Sequence, residues 1–159
     1  MADAEPDLPV DPDVSPFDVE TPVAAERTWD LLLAIAAGGA IGGAGRHLLD
    51  VVVPEALFPW STFVENVLGC FLLGALMVYL LDVWSPGRYT RPFLAVGVMG
   101  GFTTYSAYTS QARHLLLDGH APIGVVYLFA SVAAGVFALW LGIVVARALS
   151  GDRVREKRS

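Results

Sequence analysis

Charged residues are scarce in this sequence. Asp, Glu, Lys and Arg make up 16% of its 159 residues, whereas they approach a quarter of a typical soluble domain. Hydrophobic residues account for 55% of the chain. This balance argues against an ordinary soluble domain and favours an integral membrane protein, and the length is sufficient for one compact membrane domain.

Cysteine and the common catalytic motifs are also missing. Cys70 is the one cysteine, which excludes a disulfide within the chain and a four-cysteine metal site. No glycine-rich phosphate loop occurs, and no His or Cys pair has the spacing of metal ligands. We therefore expect neither enzymatic activity nor a nucleic-acid partner.

The acidic residues are concentrated at the start of the chain. Nine of the sixteen Asp and Glu residues fall within the first 30 positions, interleaved with prolines. Such a segment buries too little apolar surface to offset the entropy of ordering, so residues 1–28 are predicted to be a disordered tail. Residues 29–149 are predicted to form the membrane domain, and residues 150–159 a basic tail.

Four apolar segments follow the acidic tail, at residues 29–53, 61–81, 92–117 and 123–149. Each is long enough to cross about 30 Å of hydrocarbon, and the short connections make neighbouring segments antiparallel. The pattern predicts an all-α fold of four transmembrane helices. Eight of the ten Lys and Arg residues fall on the side shared by both termini, which predicts cytoplasmic termini in the cell membrane.

The third segment is unusually polar for a membrane span. Gly100 and Gly101 are followed by Thr103 and Thr104, a combination that permits a broken membrane helix where the break is buried in protein or lines a cavity. Five aromatic or hydroxyl residues come next: Tyr105, Ser106, Tyr108, Thr109 and Ser110. Singly, each is explained by core packing or by a hydroxyl bonding back to its helix. As a cluster they favour an anion path, because ring edges and hydroxyl protons attract anions.

The first two segments carry further polar candidates. Gly38 and Gly42 have the small-xxx-small spacing that lets helices pack closely in lipid. Arg46 is an intramembrane charge that requires a partner, water or a position near the interface. Asn66 is suited either to bonding between helices or to an ion path. The Glu65 carboxyl either lies at the membrane interface, pairs with another side chain, or belongs to a proton pathway.

In the fourth segment, Tyr127 and Ser131 are four residues apart and therefore share one helical face. That face continues the polar track or provides hydroxyl bonds between helices, and the residues alone favour neither interpretation.

Three motifs together resemble the Fluc (CrcB) fluoride channel family. They are "GGAIGGAGRH", "FPWSTFVENVLGCFLLG" and "GGFTTYSAYTS", and they occur in that family's order and spacing. The resemblance implies an antiparallel dimer of four-helix subunits, with two fluoride pores along the subunit interface. It also implies a sodium ion on the two-fold axis.

The resemblance assigns roles position by position. Asn66 corresponds to a pore-lining residue, Arg46 to the arginine of the first span, and Tyr105 and Tyr108 to the two phenylalanines of an aromatic box. Backbone carbonyls of Gly100 and Thr103 correspond to the sodium ligands, and Tyr127 and Ser131 to a polar track in the fourth span. The chain departs from the family pattern in having Tyr at both box positions, Gln111 where Glu is usual, and Glu65 where an apolar residue is usual.

The function implied by the resemblance is passive fluoride export. A membrane potential of about 100 mV, negative inside, is worth about 2.3 kcal/mol per charge and excludes fluoride about fifty-fold. The charge bias predicts a single insertion orientation, so the partner is either an oppositely inserted homologue or, if both orientations form, a second copy. Two alternatives stay open: a proton-coupled four-helix exporter that uses Glu65, and a structural membrane subunit without an ion path.

Overall fold

The computed structural model describes residues 25–54, 56–83 and 86–151, and all regular structure in these residues is helical. The α-helices are α1 (Ala25–Val52), α2 (Trp60–Val78), α3 (Met99–Phe102), α4 (Tyr105–Leu117) and α5 (Ala121–Leu149). Two π-helical segments extend α2 over Tyr79–Val83 and precede α3 over Pro92–Val98. Residues 1–24 and 152–159, on which most of both predicted tails fall, lie outside the described residues.

Three helices in the described residues are long and apolar enough to cross a membrane: Thr28–Val52, Trp60–Val83 and Ala121–Leu149. They coincide closely with the first, second and fourth predicted segments. The third predicted segment consists of two shorter helical pieces, Pro92–Phe102 and Tyr105–Leu117. The prediction of an all-helical membrane protein is therefore confirmed for the described part of the chain.

The interruption between the two pieces lies at two threonines. Thr103 and Thr104 have extended backbone, with φ and ψ of −85° and 156° and of −144° and 125°. The Thr104 hydroxyl accepts a hydrogen bond from the Ala107 amide at 3.2 Å, which caps the start of α4. The Thr103 hydroxyl donates to the Met99 carbonyl at 2.9 Å. The Thr104 side chain thus satisfies an amide that the break exposes, whereas the Met99 carbonyl also accepts from the Thr103 amide.

Glycines allow α1 to lie directly against the chain before the break. A Cβ on Gly38 would collide with the carbonyl oxygen of Phe93, and a Cβ on Gly42 with that of Val98. Small residues let helices approach closely where lipid provides no hydrophobic driving force. These contacts fix the half-span before the break against α1.

A second glycine contact joins α2 to α5. A Cβ on Gly74 would meet the Leu139 carbonyl, and a Cβ on Gly142 would meet the Phe71 carbonyl. The two glycines alternate across the interface, so each backbone fits where the other helix lacks a side chain. The helix that carries Asn66 and Glu65 is therefore fixed against α5.

An aromatic core closes the end of the molecule where α2 begins. Tyr127 is fully buried, and its ring centroid lies 5.3 Å from that of Phe58 and 5.4 Å from that of Tyr108. Ala112 and Leu115 of α4 pack in the same cluster. This core positions α4 relative to α5.

Candidate functional site

Asn66 of α2 bridges the break. Its Nδ2 donates to the Thr104 carbonyl at 3.0 Å, and its Oδ1 accepts from the Thr104 amide at 2.9 Å. In an unbroken α-helix that amide would bond to the Gly100 carbonyl. The carboxamide therefore substitutes for the helical hydrogen bond, as backbone within a membrane requires.

A cavity of about 410 Å³ opens beside the break, and we call it the break cavity. The predicted site residues that line it are Asn66, Gly100, Thr103, Thr104, Tyr105, Tyr108 and Ser131. None of the described residues on its wall carries a charge. The Ser131 hydroxyl is buried and has no hydrogen-bond partner among the described residues. The cavity thus combines neutral donors with aromatic rings.

Tyr105 and Tyr108, the two tyrosines after the break, share one face of α4 but have different surroundings. Their ring centroids are 6.0 Å apart. Tyr108 donates its hydroxyl proton to the Leu128 carbonyl of α5 at 2.8 Å, so its ring, rather than its hydroxyl, forms the cavity wall. Tyr105 is 78% exposed on the surface of the chain.

A second cavity of about 500 Å³ lies between α1, α2 and α4, and we call it the charged cavity. Its charged side chains are Arg46, Asp50 and Glu65. Thr62, Ser106, Ser110 and Gln111 provide further polar groups, and Thr104 lines both cavities. The two cavities are therefore neighbours at the break, where Thr104 belongs to the wall of both.

Two predicted path residues lie elsewhere. The Thr109 hydroxyl donates back to the Tyr105 and Ser106 carbonyls, each at 3.1 Å. Tyr127 donates to the Gln111 Oε1 at 3.0 Å from within the core. Neither residue lines the break cavity or the charged cavity, so their contacts match the structural interpretation of these hydroxyls.

Sequence reasoning missed Asp50 and Thr62 as members of the charged cavity. Asp50 follows Arg46 by four positions and therefore shares its helical face. Thr62 precedes Glu65 by three positions and likewise shares its face. This spacing was the available signal. An acid near the end of an apolar run is equally typical of a membrane boundary.

The break also offers backbone oxygens to a cation. The Thr104 amide bonds to Asn66 in place of the Gly100 carbonyl, and the Ala107 amide bonds to the Thr104 hydroxyl in place of the Thr103 carbonyl. A Cβ on Gly100 would meet nothing within 4 Å. Gly100 and Thr103 both line the break cavity, and their carbonyl oxygens are of the ligand type that hard cations prefer.

Comparison with known proteins identifies the family. A family model described as CrcB-like protein, Camphor Resistance (CrcB), matches residues 33–143. The chain belongs to this CrcB-like family. The matched range contains every residue of the break cavity and the charged cavity. With three long apolar helices in its described residues, this CrcB-like chain is a multi-pass membrane protein.

The CrcB-like chain is also similar to proteins with a stated activity. It is 42% identical over 127 residues to fluoride-specific ion channel FluC 3 of Streptomyces avermitilis, a match that covers 79% of this chain and 62% of that protein. Fluoride-specific ion channel FluC 1 of Streptomyces coelicolor is 40% identical, with 74% of this chain and 77% of that protein covered. For FluC 2 of Nocardia farcinica the identity is 42%, and the coverage is 76% and 88%.

Proposed function

We propose that this chain is a subunit of a fluoride-selective channel that lets fluoride leave the cell passively. The observation that carries the proposal is the break cavity, whose wall holds an amide, hydroxyls and aromatic rings but no charged group among the described residues. Relatives of this chain that carry the name fluoride-specific ion channel support it.

The chemistry of the break cavity suits a small anion. Fluoride is strongly hydrated, so a pathway must replace its water with hydrogen-bond donors at close range. The Ser131 hydroxyl, buried without a partner in the described structure, has its proton available for this purpose. The edges of the Tyr105 and Tyr108 rings carry positive partial charge. Neutral donors also release the ion, whereas a fixed cation would hold it.

In this proposal the two half-spans, Pro92–Phe102 and Tyr105–Leu117, together cross the membrane once. The chain then has four spans and both termini on one side. The excess of Arg on that side assigns it to the cytoplasm. A potential that is negative inside then drives fluoride outward, at about 2.3 kcal/mol per charge for each 100 mV.

The functional channel in this proposal is a dimer of oppositely oriented subunits, built from this chain and a homologue or from two copies. Large apolar side chains, including Leu33 and Phe129, are 69% and 74% exposed, which leaves apolar surface for both lipid and a partner. The carbonyls of Gly100 and Thr103 would hold the sodium ion. The charge of the sodium ion would then replace the hydrogen bonds that these two carbonyls lack at the break.

A proton-coupled exporter is the second candidate, and one observation favours it. Glu65 is 1% exposed, and its Oε1 has no hydrogen-bond partner among the described residues. Buried carboxyl groups in membrane proteins often serve proton pathways. A coupled exporter would lose transport when Glu65 is replaced by Gln, whereas a channel would keep voltage-driven flux.

Fluoride efflux from liposomes tests the proposed function. The purified chain, alone and with an oppositely charge-biased homologue, is reconstituted, and a potassium ionophore sets the voltage. We expect fluoride release that follows the voltage, with chloride retained, and release that persists in Glu65→Gln. Release that is independent of voltage but driven by a pH gradient, and absent in Glu65→Gln, would favour the exporter.

A further inference from the structure

We propose that Glu65 holds a proton inside the charged cavity, and that fluoride passes this protonated carboxyl on its way to the break cavity. Fluoride flux is then controlled by pH through this one residue. The flux part of the inference rests on the proposed function, whereas the proton site does not.

The first argument is the placement of Glu65. The side chain is 1% exposed, lines the charged cavity, and has an Oε1 without a hydrogen-bond partner in the described residues. The next residue, Asn66, lines the break cavity. Adjacent positions of α2 thus point a carboxyl and an amide into two cavities that meet at Thr104.

The second argument is the charge around Glu65. The α1 helix contributes Arg46 and Asp50, which are four residues apart, and the charges of both side chains act on Glu65. From α4, the cavity receives the Ser106 and Ser110 hydroxyls and the Gln111 amide, none of them charged. From α5, the neutral phenol Tyr127 interacts with Glu65, and from α2 itself Thr62 lines the same cavity.

An ionised Glu65 would face one like charge, Asp50, and one opposite charge, Arg46, and among the described residues it forms no ion pair with Arg46. A buried carboxylate with an unsatisfied oxygen is costly, and a proton removes that cost. The protonated carboxyl also becomes a hydrogen-bond donor, like the hydroxyls of Ser106 and Ser110 beside it. An ionised Glu65 would instead repel an anion at close range in a medium of low dielectric constant.

Fluoride flux should therefore fall as the pH rises. Voltage-driven efflux from liposomes is measured between about pH 6 and about pH 9, and the leak of neutral HF is subtracted with protein-free liposomes. We expect wild-type flux to fall at least about tenfold across this range. At every pH in this range, Glu65→Gln should show the flux that the wild type shows at the acidic end.

Two further variants make the test specific. Asp82→Asn removes a carboxyl that pairs with Arg147 at 3.9 Å, outside both cavities, and should retain the wild-type pH response. Asp50→Asn removes the like charge that acts on Glu65 and leaves the charge of Arg46, so the fall in flux should occur at a lower pH. A wild-type flux that does not change with pH, or a pH response that Glu65→Gln retains, would overturn the inference.

An infrared measurement separates this inference from the proposed function. The carbonyl stretch of a protonated carboxylic acid should be present in the reconstituted wild type near neutral pH and absent in Glu65→Gln. Should no protein conduct fluoride at any pH, the proposed function would fail while this band would still support the proton site. The lack of any difference in this band between the two proteins would overturn the proton site.

Discussion

The break cavity and the charged cavity meet at Thr104 but are built from different chemistry. The break cavity has neutral donors such as Asn66 and Ser131, whereas the charged cavity has Arg46 and Asp50 together with the ionisable Glu65. Uncharged groups thus lie where the helix is broken, and the permanent charges lie in the neighbouring cavity. Neutral donors can bind an anion without holding it as tightly as a fixed cation would.

The two cavities also differ in what holds them together. The break cavity depends on hydrogen bonds between distant positions, since Asn66 and Thr104 are 38 residues apart. The ionisable side chains of the charged cavity come from one face of α1, with Arg46 and Asp50, and from α2, with Glu65. We therefore expect substitutions at the break to affect flux and stability together, and substitutions in the charged cavity to affect flux alone.

The largest effect is expected for Asn66→Leu. The substitution removes both hydrogen bonds to Thr104 and leaves two buried backbone groups unsatisfied, at a cost of about 1–3 kcal/mol each. Fluoride efflux should fall at least about 100-fold, and the melting temperature in detergent should drop. Asn66→Asp, which keeps the acceptor but adds a negative charge, should lose flux with a smaller loss of stability. Wild-type efflux in Asn66→Leu would show that the break cavity is not the path.

Gly42→Ala should mainly affect stability. The added methyl group collides with the Val98 carbonyl, and overpacking of this kind costs about 1–3 kcal/mol. Gly43→Ala is the matched control, because a Cβ there meets nothing within 4 Å in this chain. Thermal unfolding in detergent should separate the two variants. Equal destabilisation by both would indicate that a partner subunit packs against Gly43.

Tyr108 separates the role of a ring from that of a hydroxyl. Tyr108→Phe loses the hydrogen bond to the Leu128 carbonyl, worth about 1 kcal/mol, but keeps the cavity wall. We expect its fluoride efflux to stay within about threefold of wild type, and that of Tyr108→Ala to fall much further. An equal loss of fluoride efflux in Tyr108→Phe and Tyr108→Ala would indicate that the hydroxyl, rather than the ring, is the functional group.

The smallest effect is expected for Thr109→Val. Its hydroxyl bonds back to its own helix and lines neither cavity, so stability should change by less than about 0.5 kcal/mol and flux should be retained. Ser131→Ala provides the comparison, since it removes a hydroxyl from the break cavity. An equal fall in efflux in Thr109→Val and Ser131→Ala would contradict this ranking, because it would mean that the face of α4 that carries Thr109 also contributes to the path.

Local signals allowed much of the fold to be predicted. The three long helices are continuous apolar runs, and length and composition suffice to locate such runs. The break at Thr103 and Thr104 was also predictable, because Gly100 and Gly101 weaken the helix and the threonine hydroxyls can satisfy its exposed backbone. These properties depend on neighbours in sequence.

The site could be predicted only in part, because it depends on contacts between distant residues. Helical spacing placed Tyr105 and Tyr108 on one face, yet Tyr105 is exposed in this chain and Tyr108 bonds to α5. The bond from Tyr127 to Gln111 and the place of Asp50 beside Glu65 likewise arise from packing. The identity of a side chain restricts its possible partners but does not select one of them.

The most direct test of a fluoride-selective path is the reversal potential of the reconstituted protein in a planar bilayer, with fluoride and chloride in opposing gradients. The measurement is made on the chain alone and on the chain mixed with an oppositely charge-biased homologue. Our account predicts a current that reverses near the fluoride equilibrium potential, in at least one of the two preparations. A current that reverses at the chloride or proton potential, or the lack of current in both preparations, would contradict it.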